Sequence, residues 1–262
     1  MSDSISSEVL GSGVIILTIN RPEALNALNS VVLMTLREKL EALKDDESVR
    51  VIVLRGAGEK SFIAGADIVE MQNMQRPEAT ELSRLGHAVC LLLEHMNKVT
   101  IAAVHGFALG GGLEMALACD FILASEKAQF GLPEVTLGVI PGFGGTIRLA
   151  RAIGTAKAKE MVFSGLRVKA QEAKEMGLIR TVSAQDTFFE TVKETATKIA
   201  KNSLEAIVTA KRLMNEFEET AGTYPKVDAE IHKFAGLFGG HDQHEGMLAF
   251  TEKRTAKFKG IQ

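Results

Sequence analysis

Short apolar runs alternate with polar, helix-like segments along the first two thirds of the chain. The runs are rich in β-branched and aliphatic residues and end at glycine, asparagine or a similar turn residue. Runs of this length and composition predict buried strands. They occupy residues 14–19, 49–54, 100–104 and 121–124.

Two segments between these runs have the spacing of an amphipathic helix. Apolar residues recur every three or four positions in residues 30–44 and again in residues 78–96. This period places them on one face of a helix. The apolar faces predicted in this way are Val31, Leu33, Met34, Leu36, Leu40 and Leu43 in the first segment and Leu82, Leu85, Val89, Leu92 and Leu93 in the second. Strands that alternate with helices indicate an α/β core of layered parallel strands.

The C-terminal third has a different pattern. Strand-like runs disappear from about residue 185, and charged helical periodicity continues through 185–219 and 225–257. Pro225 predicts a break between these two helices, because the residue before a proline is disfavoured in a helix. We therefore expect an α/β core over residues 1–195 and a helical region over residues 196–262, packed on the core or on a neighbouring subunit.

Composition narrows the class of protein. The chain has 262 residues, of which 46% are apolar and 24% charged, as in an ordinary globular protein. A net charge of −3 gives no general basic face, so nucleic acid is not an expected partner. Apolar stretches end well before the roughly 18 residues of a membrane span, and the N-terminus lacks the pattern of a secretory signal. Cys90 and Cys119 lie in apolar contexts and are expected to be buried thiols, which suits a cytoplasmic location.

Two glutamates lie in apolar turns in the middle of the chain. Glu114 follows Gly110-Gly111-Gly112, and Glu134 follows Pro133. An unpaired carboxylate is costly in such surroundings, so each is expected to have a chemical task or a partner. Two carboxylates that converge on one cavity can handle one water as acid and base. Alternatively, Glu114 only interacts with a helix dipole and Glu134 is a solvated turn residue.

The triple glycine itself predicts a turn from a strand into a helix. Glycines at a helix start let the backbone approach a ligand and leave N–H groups that point at it. This is suitable for an anion or for an oxygen that becomes negative during a reaction. No Gly-Lys-Ser/Thr follows and the Gly-x-Gly-x-x-Gly spacing is missing, which excludes a P-loop and a dinucleotide fingerprint. A plain tight turn remains the alternative.

These segments resemble the enoyl-CoA hydratase/isomerase (crotonase) superfamily. The motif Ile-Ala-Ala-Val-His-Gly-Phe-Ala-Leu-Gly-Gly-Gly-Leu-Glu at residues 101–114 carries the resemblance, together with Cys119-Asp120 and residues 128–134. Three more blocks agree in order, namely residues 20–28, 61–68 and 249–254. The resemblance covers essentially residues 8–259 and is strongest to short-chain enoyl-CoA hydratases with two glutamates.

The resemblance implies a fold and an activity. The fold is a crotonase-like spiral of ββα units with a helical C-terminal region that builds trimers, two of which commonly stack into a hexamer. The activity is the reversible addition of water to a trans-2-enoyl-CoA, which gives a 3-hydroxyacyl-CoA. Coenzyme A is part of the substrate, so no separate cofactor is expected. The acyl chain length and the pathway, such as fatty-acid β-oxidation, stay open.

The resemblance also assigns residues to this reaction. Glu114 acts on the attacking water, and Glu134 exchanges a proton with the α-carbon. The backbone N–H groups of Ala66 and Gly111 form the oxyanion hole. The expected coenzyme A contacts are Ala24, Leu25, Ala64, Phe250 and Lys253. The acyl pocket is expected around residues 67–85, near Met71, Met74, Leu82 and Phe143.

Several residues depart from the family pattern or have a simpler explanation. His105 stands where relatives often have asparagine, and a packing or hydrogen-bonding role is expected. Glu23 occupies a place that is often basic near the coenzyme A phosphates, which puts phosphate affinity in doubt. Asp67 is expected to cap a helix. The 6 histidines show no metal-ligand spacing, so no metal is expected.

Two other functions compete with the hydratase. An enoyl-CoA isomerase needs only a glutamate at the position of Glu134, so Glu114 argues against it as the main activity. A non-catalytic scaffold or RNA-binding member of the family is disfavoured because both glutamates and both oxyanion segments are retained. Its surface charges are also mixed in sign, as in residues 37–46, which is typical of a solvated helix face.

Overall fold

Two β-sheets form the centre of the protein. The structure is a computed structural model that describes residues 4–219 and 240–259. In these residues the strands are β1 (Ile5–Gly11), β2 (Val14–Ile19), β3 (Val51–Gly56), β4 (Ser61–Ile63), β5 (Val99–Val104), β6 (Phe107–Leu109), β7 (Phe121–Ser125), β8 (Gln129–Gly131), β9 (Arg167–Lys169) and β10 (Val182–Ser183).

Helices follow the strands throughout. The described α-helices are α1 (Ser30–Lys44), α2 (Ile68–Met71), α3 (Arg76–His95), α4 (Gly111–Ala118), α5 (Gly145–Ile153), α6 (Thr155–Ser164), α7 (Ala170–Met176), α8 (Phe188–Ala200), α9 (Leu204–Glu219) and α10 (His241–Thr251). Short 3-10 helices span Pro22–Ala24, Glu134–Leu137 and Gln185–Thr187. None of the helices in the described ranges is long and apolar enough to cross a membrane.

From β3 to β8, consecutive strands alternate between the two sheets. The larger sheet has the order β1-β2-β3-β5-β7-β10 and the smaller one the order β4-β6-β8-β9. The pairs β3–β4, β5–β6 and β7–β8 each give their first strand to the larger sheet and their second to the smaller one. A helix follows each pair, which is the spiral of ββα units that the family resemblance predicts. All pairings are parallel except β1 with β2 and β8 with β9, which confirms the predicted parallel core.

The four predicted strands are present, with small shifts at their ends. The first matches β2 at both ends, and the second starts two residues early relative to β3. The strands of the smaller sheet and β10 were not predicted, because two or three residues are too few to show a period. Strand β1 was also missed, since only Ile5 of its residues is buried and it shows no apolar run.

The two predicted amphipathic helices are confirmed, but one apolar face is partly wrong. α1 has the predicted bounds and α3 starts two residues earlier than predicted. In α1 the buried residues are Val32, Leu33, Leu36 and Leu40, whereas Val31 and Met34 are 57% and 47% exposed. The buried face is therefore narrower than the predicted one and includes Val32, which a count of apolar spacings left out.

Helix α8 covers one face of the larger sheet. Its residues Phe188, Val192, Ala196 and Ala200 are buried in one cluster with side chains of β2, β3 and β5. Helices α1, α3 and α4 bury their apolar residues in the other, larger cluster. The expected boundary at residue 195 falls inside α8. Helices α8 and α9 lie within residues 185–219, where the sequence shows charged helical periodicity, and the predicted break at Pro225 lies outside the described residues.

An ion pair between the buried Lys211 and the partly exposed Asp120 joins α9 to the chain just beyond the end of α4. Lys211 Nζ lies 2.9 Å from Asp120 Oδ1 and donates to the carbonyls of Leu93 and Lys98 at 3.2 and 3.1 Å. The Asp120 carboxylate also accepts from the backbone N–H of Thr100 at 2.7 Å. Burial raises the pKa of Asp120, and the charge of Lys211 opposes that rise. Lys211 therefore depends on these partners to stabilise its charge, because its side chain is only 8% exposed, whereas that of Asp120 is 21% exposed.

We expect Lys211→Met to lower the free energy of unfolding by about 1–3 kcal/mol, since it takes the Lys211 donor from the buried carbonyls of Leu93 and Lys98 and the counter-charge from Asp120. The double variant Lys211→Met with Asp120→Asn is expected to recover part of this loss. Urea unfolding followed by circular dichroism measures both.

The matched control is Lys193→Met, which removes a more exposed lysine paired with Glu190 on α8. We expect a change of no more than about 0.5 kcal/mol there. An equal loss of unfolding free energy in the Lys193 and Lys211 variants would contradict a larger contribution to stability from the buried Lys211.

Candidate active site

Glu114 lies in the first turn of α4 and is 1% exposed. Seven of the eight residues of α4 are buried, because the helix lies against α3, α5 and both sheets. A helix buried all round is apolar on every face, and the sequence of α4 fits this except at Glu114. A lone carboxylate in such a helix needs partners, and the structure supplies them from the backbone.

Two N–H groups meet on one oxygen of Glu114. Its Oε1 accepts from Phe143 N at 2.8 Å and from Gly145 N at 2.7 Å. Gly145 is the first residue of α5, so the carboxylate lies at the positive end of that helix. Burial raises the pKa of Glu114, while these N–H groups and the charge of Arg148 oppose the rise. The carboxylate form thus has a specific hydrogen-bonding environment.

Glu134 has the opposite environment. It begins the 3-10 helix that follows Pro133, and both of its carboxyl oxygens are buried without a hydrogen-bond partner in the described part of the chain. Burial raises the pKa of Glu134 to about 7, and the charge of Glu114 adds to the rise. A carboxyl group in this state is partly protonated near neutral pH.

Gly110 allows Glu134 to reach the start of α4. Its backbone has φ = +50°, a region that side chains disfavour. A Cβ at this position would also lie only 2.9 Å from Glu134 Oε1. Both facts require glycine here, so the triple glycine is more than a plain tight turn. Glu134 also lies close enough to Glu114 for the charge of Glu114 to raise its pKa.

Two backbone N–H groups lie beside the glutamates. A Cβ placed on Gly111 would stand 3.5 Å from Ala66 N, so the backbones of these residues are close neighbours. Ala66 is held by a parallel bridge to Leu28, in which Leu28 N donates to Gly65 O and Asp67 N to Leu28 O. Neither Ala66 N–H nor Gly111 N–H donates to another atom of the described residues. Both are available to a ligand.

The ring of Phe143 closes one side of this region. A Cβ on Gly86 would overlap the ring, and one on Gly111 would lie 3.0 Å from it. The ring thus lies between α3 and the start of α4. Of the other residues predicted near the acyl pocket, Leu82 is buried, while Met71 and Met74 are partly buried against the same core.

The residues expected at coenzyme A are only partly brought together. Ala64 N donates to Leu25 O at 3.1 Å, and Ala24 precedes Leu25 in the same turn. A cavity of about 310 Å³ opens there, lined by Leu25, Gly58, Lys60 and their neighbours. Lys253 is exposed just beyond α10 and makes no hydrogen bond to these residues. Phe250 belongs to α10, but its side chain lies outside the described part of the chain.

Asp67 has the capping role that the sequence predicts. Its carboxylate accepts from Val69 N and Glu70 N at the start of α2 and pairs with Arg21 at 3.0 Å. His105 is buried behind the site, and burial lowers its pKa, which agrees with a packing role. In the described residues, no three His, Cys, Asp or Glu side chains are grouped as metal ligands would be.

Sequence reasoning missed Arg148 and Glu94. Arg148 is 8% exposed and pairs with Glu94 at 2.6 Å, although the two residues are 54 positions apart. Nothing in the local sequence marks Glu94. The only signal for Arg148 is its place on the otherwise apolar face of a short helix, and this pattern is as common in structural ion pairs as at functional sites.

Comparison with known proteins gives consistent results. A sequence profile described as enoyl-CoA hydratase/isomerase matches residues 10–261. The chain is 43% identical to a crotonyl-CoA hydratase from Syntrophomonas wolfei, covering 93% of each chain. It is 44% identical to a short-chain-enoyl-CoA hydratase from Clostridium acetobutylicum, covering 95% of this chain and 94% of that one. The structure of an enoyl-CoA hydratase from Bacillus anthracis matches with a TM-score of 0.95 at 37% identity, covering 99% of this chain and 100% of that one.

We expect Glu134→Gln to stabilise the fold much more at pH 8 than at pH 4.5. The folded-state pKa of Glu134 is about 7, above the ordinary value of 4.5. Below both values the group is protonated in the folded and the unfolded chain, so burial of a charge costs nothing. As the pH rises through this window the unfolded chain releases its proton first, and stability is lost. After allowance for solvent screening, the gain at pH 8 is about 1–3 kcal/mol.

Urea unfolding at both pH values, at one fixed protein concentration, measures this difference. The matched control is Glu160→Gln, which changes an exposed glutamate on α6. A gain of the same size at pH 4.5 and pH 8 would contradict the buried-carboxyl explanation.

Proposed function

Because this chain belongs to the enoyl-CoA hydratase/isomerase family, we propose that it is an enoyl-CoA hydratase that adds water to a trans-2-enoyl-CoA and gives a 3-hydroxyacyl-CoA. One observation carries the proposal for this chain. The carboxyl groups of Glu114 and Glu134 are buried in different environments, beside two backbone N–H groups that donate to no other atom of the described residues. The names of the relatives make a short acyl chain, such as crotonyl, the first substrate to test.

In this proposal the thioester oxygen lies between the N–H groups of Ala66 and Gly111. These donors draw electrons from the conjugated enoyl group and make the β-carbon electrophilic. They bind the oxygen more strongly as it gains negative charge, so they favour the enolate-like transition state over the substrate. Loss of one such donor typically costs about 3–4 kcal/mol. The positive end of α4 contributes in the same direction.

Glu114 is the proposed base for the water. The N–H groups of Phe143 and Gly145 bind its carboxylate form and keep it in place. As the water oxygen bonds to the β-carbon, one proton of the water passes to Glu114. A base that is already fixed by two hydrogen bonds needs little reorganisation during the reaction.

Glu134 is the proposed acid. Its raised pKa, about 7, keeps part of the population protonated near neutral pH. Its proton passes to the α-carbon as the enolate collapses, and in the reverse dehydration Glu134 removes that proton. The two carboxyl groups influence each other, so the pKa values that a rate profile reports belong to the pair. Release of the proton from Glu114 and uptake of one by Glu134 restore the starting state.

The coenzyme A contacts and the assembly belong to the same proposal. Ala24, Leu25 and Ala64 would line the adenine end, with Phe250 and Lys253 contributed from the C-terminal helix. No separate cofactor takes part, because coenzyme A arrives with the substrate. We propose a homotrimer or a dimer of trimers in the cytoplasm, built through the region 196–262. Outside that region, Ile140 and Phe163 are each 72% exposed, and burial of such apolar side chains against a neighbouring subunit would favour assembly.

Glu114→Gln and Glu134→Gln are each expected to lower the hydration rate of crotonyl-CoA by at least about 10²-fold, up to 10⁴-fold. Each change removes one proton-transfer group but keeps its size. Loss of the absorbance of the conjugated thioester measures the rate, and calorimetry with coenzyme A checks that binding is kept.

Near-full turnover in either variant would contradict the assignment of that glutamate. If the wild type binds coenzyme A but does not hydrate crotonyl-CoA, a 3-enoyl-CoA is the next substrate. Isomerisation that needs Glu134 but not Glu114 would favour the isomerase instead.

A further inference from the structure

Arg148 links three parts of the structure that meet at Glu114. It lies on α5, its side chain is 9% exposed, and its guanidinium makes three hydrogen bonds. Nε and Nη2 donate to Glu94 Oε2 on α3 at 3.1 and 2.6 Å. Nη1 donates to the carbonyl of Phe143 at 2.9 Å. A planar guanidinium with all these bonds has little freedom to move.

Both backbone polar groups of Phe143 are thereby held by hydrogen bonds. Its carbonyl accepts from Arg148, and the N–H of the same residue donates to Glu114 Oε1. The next residue, Gly144, has φ = +104°, and a Cβ there would collide with Arg148 Nη1. Its carbonyl accepts from Arg148 N at 2.9 Å. Glycine at residue 144 thus lets the guanidinium lie against the turn that it bonds to.

We infer that Arg148 is a positioning residue, which holds the turn before α5 so that two of its N–H groups meet on Glu114. This inference rests on the proposed hydratase function, because Glu114 is the base in that proposal. The hydrogen bonds of the Arg148 side chain go to Glu94 and to the carbonyl of Phe143, and none of them goes to a carboxylate oxygen of Glu114 or Glu134. Arg148 acts through the backbone of Phe143, and Glu94 fixes the orientation of the guanidinium.

The charged groups around Glu114 give this arrangement a measurable consequence. Arg148 faces Glu114 from α5, Glu134 faces it from the 3-10 helix, and the neutral thiol of Cys90 faces it from α3. Arg148 itself is faced by Glu94, Cys90 and His87 from α3. Burial lowers the pKa of His87, so its ring is neutral around pH 7 and above. Arg148 is therefore the nearest described cation that opposes protonation of Glu114.

Arg148→Gln tests the inference through the pH dependence of crotonyl-CoA hydration. We expect kcat to fall about 10- to 100-fold while KM changes less than about threefold, because the substrate contacts stay. We also expect the acid limb of the kcat profile to move to higher pH. With the cation and the fixed turn lost, protonation of Glu114 becomes easier, and the active carboxylate is lost at a higher pH. Arg148→Lys keeps the charge and is expected to restore part of the limb.

Arg151→Gln is the matched control. Arg151 lies on the same helix and pairs with the same carboxylate, Glu94 Oε1, at 3.1 Å, but its side chain is 36% exposed. We expect a change in kcat of less than about twofold and an unmoved acid limb. Glu94→Gln, which weakens the hold on Arg148 but keeps the cation, is expected to lower kcat without raising KM.

The outcomes separate this inference from the proposed function. A wild type without crotonyl-CoA turnover overturns the function itself. An active wild type overturns only the positioning role if Arg148→Gln keeps kcat within twofold, or if Arg151→Gln shows the same loss and the same shift. Thermal unfolding of each variant checks that it is folded. If Arg148→Gln does not fold, Arg148→Lys and Glu94→Gln decide the question, and a kcat within twofold of the wild type in both overturns the inference.

Discussion

Two hydrogen bonds to a single oxygen, Glu114 Oε1, connect the helix of one ββα unit to the helix of the next. The donors, Phe143 N and Gly145 N, come from the turn before α5, whereas Glu114 comes from the first turn of α4. A buried carboxylate without such donors would be protonated or would destabilise the fold by several kcal/mol. The turn must therefore keep its shape, and α3, α4 and α5 are held in a fixed relation around it.

The difference between the two glutamates follows from what each one finds in the interior. Both are desolvated, and desolvation raises the pKa of both. Only Glu114 has N–H donors and a nearby cation that favour its charged form. In the described residues only the backbone N–H of Glu134 itself lowers the pKa of that carboxyl group, and the neighbouring charge of Glu114 raises it further. One cavity can thus hold a carboxylate and a carboxylic acid at the same pH, which is the condition for acid and base action on one substrate.

The arrangement also has a cost in stability. The oxygens of Glu134 are buried without hydrogen-bond partners among residues 4–219 and 240–259, and Gly110 is held at φ = +50° where Glu134 approaches. Groups of this kind persist only where the surrounding structure determines them strongly. Here the parallel sheets and the packed helix α4 provide that support, while the pair of Lys211 with Asp120 anchors the far end of α4 to α9.

The sequence by itself determined the parallel α/β core, the family and the two glutamate turns. The apolar runs and the helical period of α1 and α3 are local signals, and each family motif is a contiguous stretch of sequence. All of them can therefore be recognised without knowledge of tertiary contacts. The roles of Glu114 and Glu134, the oxyanion donors and the coenzyme A contacts stay predictions. The very short strands, the narrow buried face of α1 and the Arg148–Glu94 link were decided only by the tertiary structure. Strand pairing, burial and ion pairs between residues far apart in the chain depend on which elements become neighbours, and no local pattern records that.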